Sequence, residues 1–241
     1  MVSAPAGLDP TSRIFNGRRH TADNQMPGKF ITFEGGEGAG KSTQIRRLAD
    51  RLAERGIGVV VTREPGGTPT AEAIRTMLLS GHAKALGPDG EAVLFAAARA
   101  DHVDKVIRPA LRAGRWVLSD RFTDSTRVYQ GSGDGADLAT LEALDRVAVG
   151  RTMPDLTVIL DVPVEVGLGR AAKRQAATGG APDRFERDAV ALHDARRQAY
   201  LAIAAAEPDR CVVIDASGDE EATARAIWDA IAARLLEHAA P

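Results

Sequence analysis

One cysteine, Cys211, in 241 residues rules out an intramolecular disulfide and a cysteine-rich metal site. Its place in the apolar run Cys211-Val212-Val213-Ile214 reads as a buried structural thiol. Aromatic residues are sparse at 4% whereas alanine is abundant, which favours helices packed closely through small side chains. Neither sign of charge dominates: 31 basic against 33 acidic residues give a formal net charge of −2. No global field then draws nucleic acid, and a small substrate suits the chain better than a polyanion. No apolar run approaches the ~20 residues needed to span a bilayer, so no membrane partner is expected. The N-terminal stretch holds Arg13, Arg18 and Arg19 but no apolar signal core, and a cytoplasmic address is the expectation.

What is present, 44% hydrophobic and 27% charged residues, is enough to build a sizeable core. Residues 1–27 are rich in Ala, Pro, Gly, Asn and Asp without periodicity, and an unstructured extension is expected there, with Met26 an alternative start. Residues 28–241 read as one domain. Short apolar runs at Phe30–Glu34, Gly58–Thr62, Trp116–Ser119, Leu156–Asp161 and Cys211–Asp215 suit strands buried on both faces. Helical patterns alternate with them: Ser42–Arg55, Ala71–Leu79, Glu91–Ala113, Leu138–Val149, Val164–Gln175, Asp188–Ala206 and Glu220–His238. The alternation predicts an α/β fold, a parallel five-stranded sheet with helices on both faces. Its ligands should lie along the strand C-termini.

The first strand runs into Gly35-Gly36-Glu37-Gly38-Ala39-Gly40-Lys41-Ser42, followed by Thr43 and a helix. Strand, G-x-x-x-x-G-K-[ST] and helix together make a phosphate-binding loop of the P-loop NTPase type. Glycines let the backbone close around phosphates, and the loop N–H groups and helix N-terminus face negative charge. Lys41 should neutralise the β- and γ-phosphates of ATP, and the Ser42 hydroxyl should ligate Mg²⁺. Hydrolases, switches and kinases all use such a loop, so it leaves the fate of the γ-phosphate open.

Transfer to an acceptor that is itself a phosphate requires cations at the transfer point. Arg63 and Arg121 directly follow the second and third strands, with Arg99 in the helix between them. Around these arginines the sequence resembles the bacterial thymidylate kinases. Thr62-Arg63-Glu64-Pro65-Gly66-Gly67-Thr68 is similar to that family's TREPGGT segment, Phe95-Ala96-Ala97-Ala98-Arg99 to its F-x-x-x-R element, and Asp120-Arg121-Phe122 to its D-R-[YFH] signature. Ser125-Thr126-Arg127-Val128-Tyr129-Gln130-Gly131 and Pro154-Asp155-Leu156-Thr157 continue the pattern in order.

The resemblance implies transfer of the ATP γ-phosphate to dTMP in dTTP synthesis, by a homodimer that uses Mg²⁺. It assigns residues 35–43 to ATP. For dTMP it implies stacking of thymine on Phe95, a hydrogen bond from Arg99 to the base, and a phosphate grip by Arg121 with Arg63. Glu37 would face the 3′-hydroxyl, Tyr129 would shield the 2′ position, and Ser125 and Thr126 would lie near the base. From the pattern alone Phe95 is equally a core aromatic. Asp120 is expected to hold Mg²⁺ or orient the acceptor, with Asp161, which ends another apolar strand, as its rival. A different deoxynucleotide or deoxynucleoside kinase, and a nucleotide-switched binding protein, are the alternative readings.

Some members of that family carry an arginine directly after the acidic loop residue, and here the position is Gly38. Cationic help at the transition state must then come from elsewhere. Arg170-Ala171-Ala172-Lys173-Arg174-Gln175 and the following stretch to about residue 187, which contains Asp183-Arg184-Phe185-Glu186-Arg187, resemble the lid of the bacterial type. Arg174 is the expected catalytic arginine and Arg170 the second choice; a solvated basic helix would look similar.

Overall fold

A computed structural model of the protein describes residues 13–15, 28–131, 135–178, 185 and 188–236. Six strands form one sheet: β1 (Arg13–Phe15), β2 (Phe30–Glu34), β3 (Val59–Arg63), β4 (Trp116–Asp120), β5 (Leu156–Asp161) and β6 (Cys211–Asp215), in the order β1-β3-β4-β2-β5-β6. The five expected strands all form and run parallel. The departure is β1, which pairs antiparallel with β3 inside the stretch expected to have no structure. The rest of residues 1–27 lies outside the described residues.

Alternation along the central strands sends successive side chains to opposite layers. Ile31, Phe33, Trp116, Leu118, Val158 and Leu160 pack with α1 (Lys41–Glu54) and α9 (Glu220–Ile231). Phe30 and Val117 pack on the other face with Val103, Val106 and Ala110 and with Ala148 and Val149 of α6 (Leu138–Val149). Ile159 meets Val128 and Tyr200, which lie on α5 (Thr123–Gln130) and α8 (Val190–Ala206). Cys211 joins that last group as a buried thiol, its acidity pushed away to a pKa of about 11 by burial.

The expected single helix over Glu91–Ala113 is three segments: α3 (Gly87–His102), a π-helical turn at Val103–Ile107, and α4 (Arg108–Arg112). Pro109 explains the break, because its ring cannot donate and clashes with a carbonyl one turn back, and a wider turn relieves the clash. The Arg108 N–H accordingly reaches the Val103 carbonyl. The described part of the last helix closes on a second π turn at Ala232–Leu236; the expected end at His238 lies outside the described residues. α2 (Pro69–Leu79) and α7 (Val164–Thr178) complete the helices used below.

Strand β2 sits centrally between β4 and β5, whereas the chain next visits β3, beyond β4. The connections therefore part on either side of β2, and the loop after it opens into the crevice where an α/β sheet binds ligands.

Candidate active site

The loop after β2 wraps the start of α1. Gly40 caps that helix with φ 94°, a left-handed conformation, and offers no side-chain cap, so the first N–H groups of α1 remain available to an anion. The Lys41 ammonium folds back into the loop and donates to the Gly35 and Gly36 carbonyls at 3.0 Å each. Burial and the nearby Arg121 lower its pKa against the pull of Asp120, Glu37 and Glu34.

The Ser42 hydroxyl donates to the Asp120 carboxylate at 2.8 Å. Two hard oxygen donors, from α1 and from the end of β4, suit a Mg²⁺ ion that takes its other ligands from phosphates and water. Among the described residues no group of three His, Cys, Asp or Glu side chains could hold a metal. Asp161, the rival carboxylate, is held in a bidentate pair by Arg197 at 2.6 and 2.9 Å.

Arg121 is the one described non-glycine residue with positive φ, 72°, a strained conformation held in place by its surroundings. Its backbone N–H donates to Phe33 and its carbonyl accepts from the Ser119 hydroxyl. One guanidinium nitrogen donates to the Gly35 carbonyl, Ser125 and Tyr200; the other reaches Glu37 Oε1 at 2.6 Å. The Tyr129 hydroxyl donates to the same Glu37 oxygen at 3.0 Å. The Arg121 and Arg196 guanidiniums lie 4.9 and 4.3 Å from the Tyr129 ring centre. The P-loop carboxylate, the strand-end arginine and the tyrosine thus form one hydrogen-bonded set.

Farther along the same cavity, Arg99 is 2% exposed. It donates through Nε to Glu64 at 2.7 Å, through Nη1 to Asp145 at 2.9 Å, and through Nη2 to the Phe122 carbonyl and Thr126 Oγ1. A guanidinium has five N–H groups, so one on Nη1 remains for another acceptor. Burial disfavours the charges, but Glu64 and Asp145 hold Arg99 protonated, and Arg99 and His102 keep Glu64 below the usual carboxylate range. Phe95 packs with Leu78 and Ala83, as a core aromatic would, and also lines the cavity.

That cavity, about 400 Å³, is lined by residues 37–43, Arg63, Phe95, Arg99, Asp120, Arg121, Ser125, Thr126, Tyr129 and Arg174. The expected site residues therefore share one space, apart from Gly35 and Gly36, which lie in the loop behind it. Three details differ from a simple picture. The Ser125 hydroxyl belongs with Glu34, Tyr200 and Arg121 rather than with the Arg99 end. Arg63 is paired with Glu72 of α2 at 2.9 Å. Arg170 points elsewhere, donating to the carbonyls of Ala216, Ser217 and Gly218. Of the expected lid, residues 179–184, 186 and 187, Arg184 included, lie outside the described residues.

Sequence reasoning gave no role to Glu34, Glu64, Asp145 or Tyr200, which are the inner supports of this site. Glu34 is fully buried and accepts from the Phe122 N–H, Ser125 and Tyr200. Burial and the neighbouring Asp124 push its pKa up to about 7, against the pull of Arg121. An acidic residue closing an apolar strand immediately before the phosphate loop was the signal available in the sequence.

Comparison with known proteins agrees with this geometry. A family profile described as thymidylate kinase matches residues 33–227. The thymidylate kinase of Nitrobacter winogradskyi is 60% identical over 215 residues, which cover 89% of this chain and 92% of that protein. That of Rhodopseudomonas palustris is 56% identical over 218 residues, 90% of this chain and 94% of the other. The crystal structure of thymidylate kinase from Ehrlichia chaffeensis superposes with a TM-score of 0.67 at 34% identity, covering 85% of this chain and 99% of that one. With the phosphate loop, the strand-end arginine and the aromatic–arginine pair around one cavity, the chain belongs to the thymidylate kinase family.

Proposed function

We propose that the protein transfers the γ-phosphate of ATP to dTMP, giving dTDP and ADP for dTTP synthesis. The observation that carries this reading is the continuity of one cavity from the phosphate loop to Phe95, Arg99, Thr126 and Tyr129. A nucleoside monophosphate lying along it has its phosphate at Arg121 and its base at Phe95. Thymine stacks on Phe95, and its carbonyl edge meets the remaining Nη1 hydrogen of Arg99, beside Thr126. Arg63 assists Arg121 at the phosphate, with Ser125 supporting that arginine. Glu37 faces the 3′-hydroxyl, and the Tyr129 ring fills the place of a 2′-hydroxyl. This is exclusion, the cheapest way to prefer deoxyribose.

Residues 35–43 cradle ATP, with Lys41 on the β- and γ-phosphates. Ser42 and Asp120 would hold Mg²⁺, which neutralises phosphate charge when bound. An acceptor phosphate oxygen bonds to the γ-phosphorus as the bond to the ADP oxygen breaks. Lys41, Arg121 and Arg174 balance the charge on the transferring group, positioning and electrostatics being most of what such a reaction needs. Membership of the thymidylate kinase family supports a homodimer, and no described helix is long and apolar enough to cross a membrane. A cytoplasmic homodimer is the setting we propose.

The test is acceptor choice. ADP release measured with dTMP, dUMP, dCMP, dGMP and thymidine should be fastest with dTMP. Faster turnover of thymidine or of another monophosphate overturns the assignment.

A further inference from the structure

Gly38 of the phosphate loop and Gly167 of α7 meet backbone to backbone. A Cβ at Gly38 would run into the Gly167 carbonyl, and a Cβ at Gly167 would run into the Glu37 carbonyl. Two turns of the chain approach this closely only where neither carries a side chain. Gly169, two residues further along the same helix, has nothing within 4 Å of its Cβ position. The demand for glycine is therefore local to position 167.

Helical spacing shows what the contact governs. Gly167, Ala171 and Arg174 are four and three residues apart and share one face of α7. Ala171 is 3% exposed on that face, and Arg174 lines the cavity. Arg174 stands about 10 Å up the helix from Gly167 at 1.5 Å per residue. Its charge is among those that hold the Glu37 carboxyl ionised. On its other flank the helix is tied by Arg170 to the carbonyls of residues 216–218.

We propose that the Gly38–Gly167 contact is the joint that sets α7 against the phosphate loop, and so fixes the reach of Arg174 toward the transferring phosphate. Gly167 is a positioning residue for phosphoryl transfer. The inference rests on the kinase reading above and on Arg174 acting in it. Gly38 has a left-handed φ of 67°, which favours glycine by itself, and the contact adds a second demand: the space beside it is filled by α7, the helix that carries Arg174.

Alanine favours a helix over glycine at both 167 and 169, so the two substitutions differ in whether the new methyl meets the loop. Gly167→Ala should lower kcat at least about tenfold with KM for dTMP changed less than about threefold, a loss confined to the transition state. Gly169→Ala should stay within about twofold of wild type in both constants. The double variant G167A/R174A should turn over within about twofold of R174A, because the joint acts through that arginine. Thermal melts confirm folding, and Gly38→Ala, read through the same cycle with R174A, approaches the joint from its other side if G167A does not fold. Equal kcat for G167A and G169A, multiplicative losses in the double variant, or an R174A enzyme with unchanged kcat each overturn the proposal. Wild-type acceptor choice separately tests the dTMP assignment, and the cycle is read with whichever acceptor the wild type turns over.

Discussion

Glu37 Oε1 accepts a 2.6 Å hydrogen bond from Arg121 Nη2, an ion pair that ties the phosphate loop to the end of β4. Burial alone would push the Glu37 carboxyl up, but Arg121, Lys41 and the Tyr129 hydroxyl outweigh it and bring the pKa to about 2. The carboxylate is therefore charged at neutral pH and holds the Arg121 guanidinium in place.

Arg121→Ala should weaken dTMP binding about 10- to 100-fold, the range for losing one or two hydrogen bonds to a charged group. ATP binding should change little, because Lys41 and the loop backbone remain. Calorimetric titration of each nucleotide reads the difference. Equal loss of both would show collapse of the loop rather than loss of a phosphate contact.

Glu34 makes stability depend on pH. Its pKa rises from 4.5 in a free side chain to about 7 in the fold, because burial disfavours the charge and Asp124 adds to the cost. The folded state thus holds this proton more tightly than the unfolded chain does. The sign follows: the contribution of Glu34 to stability declines as pH rises from about 4.5 to about 7 and is level above. Glu34→Gln should flatten that part of a Tm-versus-pH curve, and parallel curves for the two proteins would refute the assignment.

The Tyr129 ring is fixed by Arg121 and Arg196 and meets Phe185 edge-on at 5.4 Å. Tyr129→Ala should cut the preference for dTMP over the corresponding ribonucleotide by roughly tenfold, the scale of discrimination that pocket shape supplies. Tyr129→Phe keeps the ring and should keep the preference. Competition kinetics with the two acceptors measure both variants, and an undiminished preference in the alanine variant would remove Tyr129 from sugar selection.

Arg99 and Glu64 form a buried pair with side chains 2% and 4% exposed. Removing Glu64 leaves Arg99 with Asp145 as its remaining charged partner and strips Arg99 Nε and His102 of theirs in the interior, so Glu64→Ala should cost about 3 kcal/mol of stability. The double variant E64L/R99M, which removes both charges, should be milder. Urea unfolding measures each. A loss below about 1 kcal/mol for E64A would mean that Asp145 alone satisfies the guanidinium.

The five parallel strands were legible because strands covered on both faces must be short and apolar throughout, and each starts and ends within one residue of its expected place. The phosphate loop was legible because backbone-only chemistry demands glycine at fixed places. Helix α5 was not: Thr123, Asp124, Ser125 and Thr126 favour turns by themselves, and the side chains of Asp124, Ser125 and Thr126 are drawn into the helix by partners in the fold. The π turn before α4 hid within an otherwise continuous helical pattern, with Pro109 as its one signal. Tyr200 reaches Arg121 across 79 residues of sequence, and Asp145 reaches Arg99 across 46. No spacing rule encodes such approaches, which is why the residues that line the cavity were easier to read than the residues that hold them.

The cavity also has a charge balance unlike that of the whole chain. With Arg46, Arg75 and Glu64 added to the lining residues named above, seven cationic and three anionic described side chains face it, in a protein whose formal net charge is −2. A positive recess in a nearly neutral body focuses its field at the mouth and fades within a Debye length elsewhere. Both substrates carry several negative charges, so their encounter with the enzyme is guided at short range, and kcat/KM should decline as ionic strength rises. Long polyanions, which need an extended basic surface, gain little from so confined a field.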